Sequence, residues 1–405
     1  MSRPLHVLHV ITSLSKSQGG PAVALPLLAR ALVNTGAEVT IVTTNDDGRG
    51  KSLAVPLGKP IRGEEGATYL YFPKQTEFYR FSWGLTRWLW THVRDYDVVH
   101  IHALFTYTST AAGWIARLRG VPYVVRPLGV LNHWGMENRR RRLKRWSTRL
   151  VELPILRGAA CIHYTSRQEQ DEAASAGAGK LPSTIIPLGI DTASYRHLPE
   201  PEVFYARFPE ARGRRIILFL SRIDAKKGLD LLLPAFAKTL GAHPDALLVV
   251  AGDGDPTFVA AIRAEADRLG LGSGKVLWTG FIAGEDKKAA LAAATIFVLP
   301  SYSENFGIAA AEALAAGLPS VLSNQVALAV DAAETEAALV INCEVPPLVE
   351  ALHKLLTDET LRQRLSRNAS RMATERFSLD AAGKSLRKLY RSVKLQDVAG
   401  GVPAP

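Results

Sequence analysis

Cysteine is almost absent from this chain, with only Cys161 and Cys343 in 405 residues. The two lie far apart in sequence. That excludes a disulfide framework and the usual metal or redox spacings, and it fits a reducing, cytoplasmic compartment. Long apolar runs are missing as well. No stretch reaches about 18 uncharged apolar residues, so no segment reads as a membrane span; residues 306–322 come nearest, and Glu312 interrupts them. The first apolar stretch, Pro4-Leu5-His6-Val7-Leu8-His9-Val10-Ile11, is too short and too interrupted for a secretory leader and reads as a buried strand. No internal repeat recurs, which argues against stacked-repeat architectures.

Acid is the scarcer charge. The net charge is +11, on a background 47% apolar and 21% charged, which reads as two globular domains, each able to bury a core of its own. The excess is local. Arg139, Arg140, Arg141, Arg142, Lys144, Arg145 and Arg149 form a run without an acid, with Trp134 and Trp146 at its flanks. A basic helix edged with tryptophan suits an anionic membrane surface or a phosphate-bearing acceptor, and a solvated helix face is the plain alternative. Nucleic acid is disfavoured, because a single basic patch comes without a recognition motif.

Short apolar runs alternate with longer helical patterns, the signature of βα units and parallel sheets. Strands are expected at 5–11, 38–43, 98–102, 123–125, 160–164 and 184–187, then at 216–220, 247–251, 276–278, 296–300 and 320–323. Helices fit 21–34, 109–118, 139–156 and 379–393. Residues 189–213 lack periodicity and carry prolines and charge. The expected layout is therefore an N-terminal Rossmann-like domain at 1–188, a linker at 189–212, a second such domain at 213–376, a closing helix at 377–394 and a flexible tail at 395–405. Two doubly wound domains facing across a cleft would bind ligands at the carboxyl ends of their strands.

The candidate chemistry sits at those strand ends. Glu304 follows the apolar strand Ile296-Phe297-Val298-Leu299 and Glu312 lies eight residues on, in Glu304-Asn305-Phe306-Gly307-Ile308-Ala309-Ala310-Ala311-Glu312. A helix start between two carboxylates at most roughly 12 Å apart suits an extended ligand with an anionic middle, its diphosphate over the exposed N–H groups of the first turn. In Ser221-Arg222-Ile223-Asp224-Ala225-Lys226-Lys227-Gly228, Arg222 offers a planar fork and Lys227 a point charge for phosphate. Gly19 and Gly20, after the first strand, and Gly254, in Ala251-Gly252-Asp253-Gly254-Asp255, allow close backbone approach to a ligand. Phe281 and Ile282 could line a base pocket. Asp253 and Asp255 lack a third ligand nearby, so no essential metal is expected. His100 and His102 alternate along one strand and share a side; His100 reads as structural, while His102, at the carboxyl end, is the candidate for touching donor or acceptor.

Together these residues resemble the retaining glycosyltransferases of the large family four, which have the GT-B fold. The likeness runs in order through Gly19-Gly20, the His100-Ile101-His102 strand, Ile186-Pro187-Leu188-Gly189-Ile190-Asp191, the Arg222 to Gly228 loop, Ala251 to Gly254, and the Glu-x7-Glu block, the most specific piece. It implies that Glu304 holds hydroxyls of a donor sugar and Glu312 a ribose. Asn305, Phe306, Gly307 and Ile308 fall among the donor-binding residues, and Arg222 and Lys227 neutralise the diphosphate without metal. The reaction implied is transfer of a hexosyl group from a nucleotide-sugar, uridine favoured over guanosine, to a saccharide acceptor carried on a polyprenyl diphosphate at the inner face of a membrane, in surface polysaccharide biosynthesis. The chain departs from the family at Arg126-Pro127-Leu128-Gly129, where relatives carry a histidine or sometimes an arginine. That leaves Arg126, His102 and His133 as candidates for facing the reacting centre. A sugar-nucleotide epimerase on the same fold, and a non-enzymatic basic binder of membrane or nucleic acid, are the alternatives.

Overall fold

The structure is a computed structural model that describes residues 3–15, 20–130, 148–272 and 274–399. Contact density divides the chain into two units, Met1–Gly189 with Leu379–Pro405, and Ile190–Ser378.

The first unit contains β1 (His6–Val10), α1 (Gly20–Val33), β2 (Glu38–Thr44), β3 (Ile61–Arg62), β4 (Thr68–Phe72), α2 (Trp83–His92), β5 (Val98–His102), α3 (Tyr107–Arg119), β6 (Tyr123–Arg126), α4 (Leu153–Gly158), β7 (Cys161–Tyr164), α5 (Arg167–Ala173) and β8 (Ser183–Ile185). Its sheet runs β3-β4-β2-β1-β5-β6-β7-β8 and is parallel except where β3 meets β4. The central strands read as unbroken apolar or histidine-containing runs because both faces are covered. Polar N-caps and left-handed glycines set helix ends: Thr106 accepts from the Ser109 N–H to start α3, and Gly120, at φ +68°, closes it.

The second unit contains α6 (Glu202–Arg207), β9 (Arg215–Leu220), α7 (Leu229–Thr239), β10 (Ala246–Ala251), α8 (Pro256–Arg268), β11 (Val276–Gly280), α9 (Gly284–Ala293), β12 (Ile296–Leu299), α10 (Ile308–Ala315), β13 (Ser320–Ser323), α11 (Ala329–Glu334), β14 (Leu339–Ile341), α12 (Val345–Thr357) and α13 (Glu359–Phe377). Its parallel sheet runs β11-β10-β9-β12-β13-β14. This is the doubly wound order, whose reversal falls between β9 and β12. The last helix, α14 (Leu379–Ala399), returns to the first unit, where Leu386, Tyr390 and Val393 enter the core beside Leu28 and Leu32 of α1.

Four expectations are revised. The stretch read as a linker carries α6, and its Tyr195 is buried in the second unit, where it reaches Glu312. Strands β3, β4 and β14 were not anticipated; Tyr69-Leu70-Tyr71 lacks the flanking helical pattern that marks the other strands. Of the helix expected over 139–156, the described part is a π-type turn, Thr148–Glu152, leading into α4. The closing helix runs into the expected tail, as far as Ala399. Among the described residues no helix is long and apolar enough to cross a membrane.

Candidate active site

The reversal between β9 and β12 brings the loops after these two strands together in the second unit. After β9 the chain passes Ser221-Arg222-Ile223, and Asp224 accepts the Lys226 N–H at 3.0 Å to tighten a short turn ending at Gly228, φ +73°. A Cβ on Gly228 would stand 2.1 Å from the Pro300 carbonyl oxygen, so glycine lets the two loops touch backbone to backbone. The Tyr302 N–H donates to the Lys226 carbonyl at 2.8 Å. This closeness seats the Lys227 ammonium on the Glu304 carboxylate, both side chains being largely buried. Arg222 is exposed and makes no hydrogen bond or ion pair among the described residues.

Glu304 is fixed through its backbone. Its N–H donates to the Gln325 carbonyl and its carbonyl accepts from the Ala327 N–H, each at 3.0 Å. The helix starts only at Ile308, after Gly307 at φ +88°, so the two glutamates are joined by a turn and one helical stretch, not by one continuous helix. The free N–H groups of the first turn of α10 lie between them in sequence. Asn305 is exposed and Ile308 half-buried. Phe306 is buried and packs edge-on against Phe377 at 5.3 Å between ring centroids, so its ring belongs to the core and only its backbone can meet a donor.

Glu312, on α10, is gripped from two sides. Lys287 of α9 donates to it at 2.6 Å, and the Tyr195 hydroxyl hydrogen-bonds to it. Burial first, and then the charge of Glu312, hold the Tyr195 phenol well above its ordinary range. Neither Lys287 nor Tyr195 was singled out from sequence, where both stand isolated among charged or aperiodic neighbours.

Gly254 has a different reason for being glycine than ligand approach. A Cβ there would lie 2.0 Å from the Ile223 carbonyl oxygen, and one on Gly252 would lie 1.8 Å from that of Ser221. Together with the Ile223 N–H donating to Asp253 at 2.8 Å, these glycines clamp the loop that presents Arg222. Asp253 accepts from the Gly254 N–H, and Asp255 caps α8 through Thr257 and Phe258, so both carboxylates serve local turns. Ile282 is buried and belongs to the core, leaving Phe281, 75% exposed, as the aromatic still available for a base.

In the first unit, Gly20 opens α1 and is exposed. His102 does not lie open at a strand end. It is 1% exposed, and its Nε2 shares a hydrogen bond of 2.8 Å with Nδ1 of His9. His100 is structural, as expected, with Nδ1 at 2.6 Å from the Tyr390 hydroxyl. His163 pairs with the Ile186 carbonyl at 2.8 Å. Burial, and then the nearby Arg126 charge, lower His9 to about 3; burial, Arg126 and His9 do the same for His163. His100 and His102 are lowered well below the usual imidazole range, by burial first and then by neighbouring histidines and Arg126. Arg126 itself is buried, and burial pulls it down to about 10, with its Nε lacking a partner among the described residues. Ligand atoms of His9, His100 and His102 lie within 4.8 Å of one another, the one such trio among the described residues. The adjoining guanidinium and the shared His9–His102 hydrogen bond make it a poor cation site. Gly19, His133, Arg139, Arg140, Arg141, Arg142, Lys144, Arg145 and Trp146 lie outside the described residues.

Known proteins were compared with this chain. The family "Glycosyl transferase 4-like domain" matches residues 19–189, and "Glycosyl transferases group 1" matches residues 204–372. The D-inositol 3-phosphate glycosyltransferase of Corynebacterium diphtheriae is 24% identical over 95% of this chain and 92% of its own length. The protein of the same name from Segniliparus rotundus is 28% identical over 55% of this chain, and the match spans about half (48%) of that relative. Among solved structures, Anabaena HepE in complex with UDP and glucose superposes with a TM-score of 0.74 at 19% identity, covering 95% of this chain and 99% of that one. The fold is that of GT-B glycosyltransferases.

Proposed function

We propose that this glycosyltransferase is of the family-four type and carries out metal-independent, retaining transfer of a hexosyl group from a nucleotide-sugar, UDP-linked in preference to GDP-linked, onto a lipid-carried saccharide at the inner face of a membrane. The observation that carries the reading is the Lys227–Glu304 pair at the sheet reversal of the second unit, beside the unpaired Arg222 and ahead of the α10 N-terminus. The two partners satisfy each other at rest. A sugar diphosphate would give each a better partner: phosphate oxygens for Lys227 and Arg222, sugar hydroxyls for Glu304. Glu312, with two further groups orienting it, would take the ribose hydroxyls.

The chemistry follows from charge. The bond from the anomeric carbon to the diphosphate breaks with oxocarbenium character, and its electrons go to the leaving phosphate, where Arg222, Lys227 and the first-turn N–H groups stabilise them. The acceptor hydroxyl arrives on the same face, and its proton passes to the departing phosphate oxygen. No nucleophile with an adjacent base is needed.

Lys227→Ala tests this: turnover should fall about 100-fold or more, as when one preorganised donor is removed from a developing anion, and activity of the parent should survive EDTA. Full turnover in the variant, or activity lost to EDTA and restored by a divalent ion, would sink the mechanism. A second acceptor reading has its own support, since both curated relatives above are named for inositol 3-phosphate. Supplying UDP-sugar with inositol 3-phosphate or with a polyprenyl-diphosphate saccharide, and identifying the product, separates the two.

A further inference from the structure

Tryptophan is spread unevenly: six of seven, at positions 83, 88, 90, 114, 134 and 146, fall in one third of the first unit's sequence. Three of them stand out of the fold. Along α2 and the turn after it, Trp83, Arg87, Trp90 and Arg94 are exposed at i, i+4, i+7 and i+11, one stripe, while Leu85, Leu89 and Val93 face the core. On the neighbouring α3, Trp114, Arg117 and Leu118 are exposed while Ala112, Ile115 and Ala116 are buried. Trp83, Trp90 and Leu118 are 60, 47 and 66% exposed, more than single surface aromatics need.

The two stripes form one face. The Arg119 guanidinium lies 5.0 Å from the Trp90 ring centroid, and Arg94 donates to the Arg119 carbonyl at 3.0 Å. Arg117 sits over Trp114 at 5.9 Å. Helices α2, α3 and α4 contain no acid, and the turn after α2 adds one, the exposed Asp95 next to Arg94. On the other side of α3, Gly113 lies against Ile155 of α4, and a Cβ on it would come within 2.8 Å of that side chain. The turn that precedes α4 exposes Leu150 and follows the basic run at 139–145 in sequence.

We propose that this α2–α3 face docks on an anionic lipid bilayer, with Trp83, Trp90 and Trp114 at headgroup level and the arginines on acidic headgroups. Tryptophan is suited to the interface because its ring is apolar and its N–H polar, and each arginine near an anionic surface adds attraction. Arginines stacked over the same tryptophans put both groups at one depth, and a single exposed acid, Asp95, against Arg87, Arg94 and Arg117 leaves the face strongly positive toward such a membrane. A protein partner would need no such basic rim. The face is independent of the acceptor: it would bind vesicles that contain no saccharide, so its failure and the failure of the lipid-linked reading are separable.

The test uses the whole chain and vesicles of phosphatidylglycerol and phosphatidylcholine in equal parts, against phosphatidylcholine alone. Co-sedimentation should favour the anionic vesicles. The Trp83→Ala, Trp90→Ala, Trp114→Ala triple variant should lose about tenfold or more in partition, with an unchanged calorimetric transition of the first unit as the check that the face is folded. Arg87→Gln with Arg117→Gln should weaken binding by about fivefold per residue, only to anionic vesicles. Brominated lipid should quench the parent's tryptophan fluorescence, and replacing the three tryptophans by phenylalanine should remove most of that quenching while keeping partition. Full binding by the triple alanine variant, or undiminished quenching in the phenylalanine variant, overturns the assignment and hands the contact to Trp134 and Trp146. No binding to either vesicle also overturns it.

Discussion

At the scale of single residues, the second unit shows how one residue type can answer to two physical demands. Glycine after a strand suggests backbone approach to a ligand, and Gly254 invites that reading. The backbone it approaches is the chain's own, at Ile223, as Gly252 approaches Ser221. The two readings differ in outcome. If these glycines met only a ligand, Gly254→Ala would leave stability intact and weaken donor binding. With a Cβ forced to 2.0 Å from a carbonyl oxygen, the variant should instead lose about 3 kcal/mol of stability in urea unfolding, as overpacked sites do. An unchanged urea midpoint would restore the ligand reading. Charge was more legible than space here. Glu304, Glu312, Arg222 and Lys227 could be singled out because each stands at an apolar strand's end or a fixed spacing from one. Lys287 and Tyr195 could not, since what makes them matter is Glu312, far away in sequence.

At the scale of elements, alternation along β5 showed correctly that His100 and His102 share a side, yet did not show what covers that side. The cover is α14, whose Tyr390 reaches His100 from 290 residues on, and no local pattern carries such a distance. The existence of the closing helix was plain from its periodicity; its seat was not. That seat depends on Gly383, where a Cβ would stand 2.3 Å from the Ala31 carbonyl of α1 and 3.1 Å from Thr35. Gly383→Leu should therefore unseat α14 and destabilise the first unit by about 3 kcal/mol, read as a lowered calorimetric transition, while UDP affinity in the second unit stays as it was. A variant as stable as the parent would mean that α14 is held by other contacts. The same distance problem explains β4 and β14. Both are apolar but short, five and three residues, and what makes them strands is pairing with β2 and β13.

At the scale of the whole molecule, acid and ligand should act on different halves. His9, His100, His102 and His163 are buried, neutral and all in the first unit. In the unfolded chain each would titrate near about 6.5, whereas His9 and His163 resist protonation in the fold down to about 3. Below about pH 6.5 the unfolded state binds more protons than the folded one. Their contribution is thus full above that pH and is lost progressively as pH falls toward 3, at up to about 1.4 kcal/mol per pH unit for each histidine. Four acting together exhaust ordinary domain stability within a few pH units. Among its described residues the second unit has no such buried set: of its close pair, His243 is buried, and burial lowers it, but His353 is exposed. Donor nucleotide works the other way, stabilising what holds it by about 2.7 kcal/mol at a hundred times its Kd. Calorimetry from pH 7.5 down to 5, with and without UDP, should show one transition that falls steeply with pH and ignores UDP, and another that UDP raises at every pH. His163→Gln should flatten the first slope by removing one of the four protonation sites. A single transition moved equally by acid and by UDP would mean that the two units unfold as one, and that the histidines tax the donor site as much as their own sheet.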